Sequence, residues 1–537
     1  MTRINSKGRT MGSRIVQVAL VLLGALALAS RAADPASFAE WLAAGQAQQK
    51  DGRHAEARAS YEKALAVSGI TPDQSAQALL GVADANCREF KWLPANAACE
   101  KVIALNGVSD PLKARAWLGV GRVFEAYGNW EKVRAACAEA LKLGPLAPDQ
   151  KVQAQRQFAR ALVNVRQFAE ARAVMKELLA GSPATVPVAE QNVPNTVLKE
   201  YAPTETLPAE ERANLQLAIA KTLMFERNYP EARAELAKAQ AMPGAPDALK
   251  AEIQLHLGLS YSEAQDDEHA KTELLKVLDM PDALRRSPWD GGRMRYVPAR
   301  EARLRLLMRN LLPEKNKVLK VLFIGSSHTL REDLPEQVTK LAASAPEGQP
   351  RIIAGDYVRM GTSIVTFWEA GDTPDTARGV IASEPWDAVV FETFYNMKTD
   401  EVMKYPTLFA DLIRSRKALP VIYESPLPKA SPWPDRFQKF HDDNVALVKA
   451  LKVPVAPSVR AWMRYLGEKP TEAQFAEVYA DWIHASPKGA YMSACCIYAA
   501  LTGCSPVGLY APPNIPEAEV KRLQETAWEA FRETNPP

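Results

Sequence analysis

Residues that build metal centres and covalent frameworks are scarce in this sequence: six cysteines and six histidines stand among 537 residues. So few cysteines exclude a disulfide-framed small domain. No C-x-x-C pair occurs, only the adjacent Cys495 and Cys496, so zinc-ligand spacing is absent as well. Six histidines leave little room for a His-built metal site, and neither a metal nor an organic cofactor is expected. An excess of one charge is also missing. Lys plus Arg is 66 and Asp plus Glu is 63, a formal net charge of +3, which argues against a nucleic-acid partner. Beyond the first 33 residues no apolar run approaches the roughly 20 residues needed to cross a bilayer. Apolar residues make up 47% of the chain, enough to bury cores, and the length allows about three domains.

Residues 1–33 have the three-part pattern of a secretory signal. Lys7, Arg9 and Arg14 form a basic start, and Ile15 to Leu28 is apolar apart from Gln17 and Gly24. Ala27-Leu28-Ala29 and Ser30-Arg31-Ala32 are cleavage candidates. An uncleaved N-terminal anchor is the alternative. The signal reading predicts a protein exported to the periplasm or the extracellular space, with no membrane span after cleavage.

Residues 35–280 repeat themselves. Gly52-Arg53-His54-Ala55-Glu56-Ala57 leads to Tyr61 and Ala64, and related segments recur around Ala95, Val133, Ala171, Ala232 and Ala270. These key positions lie 38, 38, 38, 61 and 38 residues apart. The long interval holds a Pro- and Val-rich insert at about 182–208. Twelve residues before five of the key positions stands a small residue, Gly45, Gly121, Ala159, Ala220 or Gly258, and Gly81 is the nearest match in the remaining unit. Trp41 and Trp117 precede their glycines by four residues, and Leu257-Gly258 with Tyr261 completes the pattern. The array resembles tetratricopeptide (TPR) repeats, whose signature is W-x2-L-G-x2-Y, then A-x3-F, then P. The resemblance implies six helix pairs in an all-α solenoid. Small residues let the two helices of a pair approach, and the large residue at the Tyr61 position fills the gap to the next pair. Such arrays present a concave surface, so a protein or peptide partner is expected. Cys87 and Cys99 fall in one unit, where a disulfide and buried free thiols are both compatible with the spacing.

A linker follows at 281–317, in which Arg300 to Leu312 reads as a basic amphipathic helix between two domains. From Val318 the period changes. Val318–Ile324, Arg351–Ala354, Ala388–Phe391, Pro420–Glu424 and Val453–Ala456 are short apolar runs that predict strands. Helical patterns at Pro335–Ser344, Glu401–Arg414, Arg436–Leu451 and Pro487–Thr502 alternate with them. Strand then helix, repeated, predicts a parallel sheet covered on both faces, with chemistry at the carboxyl ends of its strands. Residues 511–537 read as a C-terminal tail with a short helix.

The first strand ends in Gly325-Ser326-Ser327-His328-Thr329, and Asp481-Trp482-Ile483-His484 precedes the last helix of the alternation. On these residues the segment 318–510 resembles the SGNH (GDSL-type) hydrolases, esterases and carbohydrate deacetylases with a flavodoxin-like α/β/α fold. The resemblance implies Ser327 as nucleophile, His484 as base and Asp481 as the carboxylate that orients it. It also implies an oxyanion hole from the backbone of Ser327 and Gly361 with the Asn396 side chain. A serine hydroxyl attacks only when a base takes its proton, and the carboxylate fixes the tautomer that lets it do so. Three positions depart from the family's pattern: Ser326 replaces Asp or Asn, Phe394 replaces a glycine, and Met397 replaces an aspartate.

The remaining polar residues read more plainly. Glu392 at a strand end is expected at the surface or in a salt bridge, and His328 at the cleft edge. His441, beside Asp442 and Asp443, is expected on a solvated helix face. A bridge from Cys504 to Cys495 or to Cys496 would leave the third thiol free. The expectation is therefore an exported serine ester hydrolase acting on an ester or acylated glycan, carrying a TPR-like array. The alternative is an envelope scaffold whose repeats bind a partner and whose hydrolase-like domain is inactive.

Overall fold

The computed structural model describes residues 37–181, 207–280, 298–313 and 317–535, except residues 90, 360, 374, 375 and 396. The segment read as a secretory signal, most of the insert, and residues 281–297 and 314–316 of the linker therefore lie outside the described residues. The chain divides into two compact units, 37–181 and 207–535 in described residues.

The first unit holds four helix pairs: α1 (Phe38–Lys50) with α2 (His54–Leu65), α3 (Pro72–Arg88) with α4 (Trp92–Ala104), α5 (Asp110–Ala126) with α6 (Trp130–Lys142), and α7 (Pro148–Asn164) with α8 (Phe168–Ala180). Ser37 with Glu40, and Thr71 with Gln74, form capping boxes that start α1 and α3. The key positions Ala57, Ala95, Val133 and Ala171 are fully buried. Tyr61 on α2 fills the space between neighbouring pairs. A Cβ on Gly45 would lie 2.6 Å from its ring, and one on Gly81 2.7 Å. Gly81 is thus the acceptor for the preceding pair's large residue and not the counterpart of Gly45, which explains its odd spacing. Gly119 receives Cys99 in the same way, at 2.6 Å from the sulfur. In three of these pairs the turn bends through a left-handed residue five positions before the key residue: Gly52, Gly128 and Arg166 have φ of 78°, 66° and 63°.

The second unit begins with two more pairs, α9 (Ala209–Phe225) with α10 (Tyr229–Gln240) and α11 (Asp247–Glu263) with α12 (Asp267–Leu278). Their key residues Ala232 and Ala270 are fully buried. Four helix pairs therefore fall in the first unit and two in the second. Helix α13 (Pro298–Met308) joins the last pair to the sheet. Its Ala302 and Leu306 pack with Leu255, Leu274 and Val277 of the repeats, while Leu304 packs with Ile353 and Trp386 on the sheet side.

The sheet has five parallel strands: β1 (Val318–Gly325), β2 (Arg351–Val358), β3 (Ala388–Thr393), β4 (Leu419–Glu424) and β5 (Val455–Ala456), in the order β2-β1-β3-β4-β5. Alternation along β1 divides two cores. Val321 and Phe323 face one, and Leu322 and Ile324 the other. Helix α14 (Ser327–Leu330) follows β1, and α15 (Leu334–Ala343) leads to β2. Then α16 (Ile364–Glu369) and α17 (Ala377–Ser383) precede β3, α18 (Thr399–Ser415) precedes β4, and α19 (Asp435–Leu451) precedes β5. The chain closes with α20 (Ser458–Leu466), α21 (Glu472–Val478), α22 (Pro487–Thr502) and α23 (Glu517–Thr534). The C-terminal segment is not a tail. Helix α23 runs 18 residues and buries Val520, Leu523, Ala527 and Ala530 in the first core, and Asn535 accepts from Val455 N–H at 2.8 Å and donates to its carbonyl at 2.9 Å. All six cysteines are free thiols, and every one except Cys504 is buried. Among the described residues no helix is long and apolar enough to cross a membrane.

Candidate active site

Strand β1 reverses its connection between neighbours, going to β2 on one side while β3 lies on the other. Parallel sheets bind ligands outside the carboxyl ends of their strands at such a switch. Ser327 stands there. Gly325 ends β1, and Ser326 caps the short helix that Ser327 opens, its Oγ accepting from His328 N–H at 3.3 Å. Glycine is required at 325 because a Cβ would lie 2.1 Å from Thr329 Oγ1 and 2.7 Å from Glu392 Oε2. Ser327 is half-buried, and among the described residues its Oγ makes no hydrogen bond.

Asp481 and His484 come from the loop between α21 and α22. Tyr479 pairs with Ala485, and Ala480 N–H donates to the His484 carbonyl at 2.9 Å, which closes the loop. Inside it Asp481 Oδ1 accepts from Ile483 N–H at 2.9 Å and His484 N–H at 2.8 Å, and Oδ2 lies 2.8 Å from His484 Nδ1. Partial burial pushes the Asp481 carboxyl up, but the two backbone N–H groups and the imidazole outweigh it and hold the acid well below the usual carboxylate range. Nε2 of His484 makes no hydrogen bond among the described residues. Gly489 in α22 admits the loop closely, since a Cβ would lie 2.4 Å from the Val478 carbonyl.

The two segments meet through His328, the residue after Ser327. Its ring centroid lies 5.5 Å from that of His484. His328 does not sit at the edge; it is 6% exposed, its Nδ1 has no partner among the described residues, and burial together with His484 pushes its pKa down to about 3. Arg331 completes the cluster. Its guanidinium pairs with Asp481 and lies 2.7 Å from His484 Nδ1. Nothing in the sequence pointed to Arg331.

The candidate oxyanion hole is described in part. Gly361 lies on the loop after β2, which is tied to β1 by Arg359 N–H donating to the Gly325 carbonyl at 3.1 Å. Its φ of 65° is what demands glycine; a Cβ there would meet nothing within 4 Å, so crowding is not the reason. Asn396 lies outside the described residues.

Glu392 and His441 both depart from the environments expected of them. Glu392 is neither exposed nor salt-bridged. It is 2% exposed at the end of β3 and accepts from Ser326 N–H at 2.7 Å, Ser326 Oγ at 2.8 Å and Thr329 Oγ1 at 3.1 Å. Burial pushes its pKa up to about 7 against those bonds. His441 is not solvated. It is buried with Nδ1 2.8 Å from Oε1 of the fully buried Glu424. Burial alone would depress His441, and Glu424 reverses the direction. Among the described residues no three metal-ligating side chains cluster.

Residues 41–69 match the tetratricopeptide repeat family. No curated protein matches the chain. Among solved structures, a DUF4886 family protein from Bacteroides uniformis is 18% identical, with 40% of this chain and 95% of that one covered and a TM-score of 0.33. PilF of Pseudomonas aeruginosa is 16% identical, with 45% and 90% covered and a TM-score of 0.31. A tetratricopeptide repeat protein from Parabacteroides merdae is 15% identical, with 48% and 83% covered and a TM-score of 0.29.

Proposed function

We propose that this chain is an exported serine ester hydrolase of the SGNH type, with a tetratricopeptide array that binds a protein or peptide partner. The observation that carries the enzyme reading is the pairing of His484 Nδ1 with Asp481 at 2.8 Å while Nε2 makes no hydrogen bond among the described residues, its ring against His328 next to Ser327. The strand order 2-1-3-4-5 is the flavodoxin-like order, with Ser327 at its switch point.

In this reading His484 Nε2 takes the proton of Ser327 Oγ as the hydroxyl attacks the ester carbonyl. Asp481 holds the Nδ1–H tautomer and stabilises the imidazolium. Backbone N–H groups of Ser327 and Gly361, with Asn396, receive the oxyanion, each donor lowering the barrier by about 3 kcal/mol. Collapse expels the alcohol, protonated by His484, and water then cleaves the acyl-enzyme. O-acetyl groups of an extracellular glycan fit the compartment that the signal segment suggests.

Hydrolysis of p-nitrophenyl acetate by the mature protein, beside Ser327→Ala, tests this. Activity and fluorophosphonate labelling lost in the variant support it; equal rates and no labelling in either protein overturn it. The second reading is a scaffold whose repeats hold a partner and whose sheet domain is inactive. It draws on Arg331, which sits on the Nδ1 that a working base must keep protonated.

A further inference from the structure

We infer that Glu392 is a positioning residue for the nucleophile, holding the turn that presents Ser327. This rests on the hydrolase reading above. Its carboxyl sits beneath the turn at the end of the neighbouring strand and takes donors from both sides of Ser327. Ser326 binds it through N–H and Oγ at 2.7 and 2.8 Å, and Thr329 through Oγ1 at 3.1 Å. Among the described residues no cation pairs with it. A surface salt bridge could be dispensed with, but these donors have nowhere else to go. Ser326 and Thr329 are both about 2% exposed. Removing the carboxyl strands a buried backbone N–H and frees the segment that fixes both Ser327 Oγ and Ser327 N–H. Gly325 belongs to the same device, since any side chain there would displace Thr329 and Glu392.

Glu392 touches no reacting atom, so its contribution falls on kcat and not on substrate binding. A glutamine keeps one oxygen for Ser326 N–H and Thr329, while its amide donates to Ser326 Oγ, which as a hydroxyl accepts equally well. An alanine keeps neither. The experiment uses Glu392→Gln and Glu392→Ala in the full mature chain. It measures kcat and KM for p-nitrophenyl acetate, thermal unfolding, and amide hydrogen exchange at Ser326 and His328. Expected for Glu392→Ala, with the fold retained, are a kcat loss of about 100-fold, KM within about twofold, and exchange at least about tenfold faster at both amides. Glu392→Gln stays within about tenfold of wild type in kcat and within about threefold in exchange. Wild-type kcat in Glu392→Ala, or unchanged exchange, overturns the proposal. If wild type and Ser327→Ala are equally inactive, the hydrolase reading fails and takes the catalytic part with it. The exchange result then still decides whether Glu392 holds the turn.

Discussion

Arg331 pairs with Asp481, the same carboxylate that lies 2.8 Å from His484 Nδ1, and its guanidinium also reaches that nitrogen at 2.7 Å. One ring nitrogen cannot donate to Asp481 and accept from Arg331 at once. The guanidinium carries only donors, so its approach favours the tautomer with the proton on Nε2, which cannot take a proton from Ser327. Arg331→Ala removes that competitor. The esterase rate of the variant is expected to be at or above wild type, by roughly a few-fold. A tenfold fall in kcat would instead mean that Arg331 holds Asp481 in its working position.

Asp481→Asn tests the same pair from the other side. The asparagine keeps an oxygen for the N–H groups of Ile483 and His484, so the loop should stay closed. Its amide nitrogen can only donate to Nδ1, which fixes the unproductive tautomer. For a serine hydrolase the expected fall in kcat is about 10⁴-fold with little change in KM. A loss under tenfold would remove Asp481 from the triad.

Glu392 predicts how stability responds to pH. Its pKa rises from an ordinary 4.5 to about 7 in the folded protein because burial disfavours the charge. The folded state therefore holds this proton more tightly than the unfolded one. Stability from this group is fully present below pH 4.5 and is lost as pH rises to about 7. The groups facing it are the hydroxyls of Ser326, Thr329 and Ser425 and the buried phenol of Tyr423. A shift of this size amounts to roughly 3 kcal/mol. Glu392→Gln cannot titrate, so between pH 5 and about 8 its stability should gain on wild type by about that much. Chemical denaturation at the two pH values measures it, and parallel curves would count against a buried titrating acid.

Tyr61 and its two glycines were half legible. The repeat spacing gave Tyr61 as the gap-filling residue and Gly45 as the close approach, because small and large residues at fixed offsets mark helix pairs. The role of Gly81 was hidden, since two different contacts, to the same pair and to the preceding one, both ask for glycine. The D-x-x-H pair was legible because its bond closes within three residues. Glu392 and His441 were not. What buries them is the register of β3 against β1 and of α19 against β4, contacts 66 and 17 residues apart that no local pattern reports. Tyr61→Ala would empty the space between Gly45 and Gly81, and the first unit should lose about 3–5 kcal/mol. A loss under 1 kcal/mol in its unfolding transition would mean the pairs close over the gap.

The turns inside the helix pairs offer a change in the opposite direction. Five positions before the key residue the backbone is left-handed in each described turn. Glycine serves at 52 and 128, but Arg166, Arg227 and Gln265 adopt it with φ of 63°, 60° and 63°. A side chain in that region costs about 1–2 kcal/mol, because Cβ crowds the following carbonyl. Gln265 is exposed, so glycine there removes the crowding and gives up only solvent contacts. The glycine also loosens the unfolded chain, which takes back roughly 0.5–1 kcal/mol. Gln265→Gly should therefore stabilise the second unit by about 0.5–1 kcal/mol. Ala264, one residue earlier, has φ of −77°. There the entropy cost stands alone, and Ala264→Gly should destabilise by about 0.5–1 kcal/mol. Opposite signs at adjacent positions in thermal unfolding are the expected result, and a loss at both would show that the left-handed turn carries no strain to relieve.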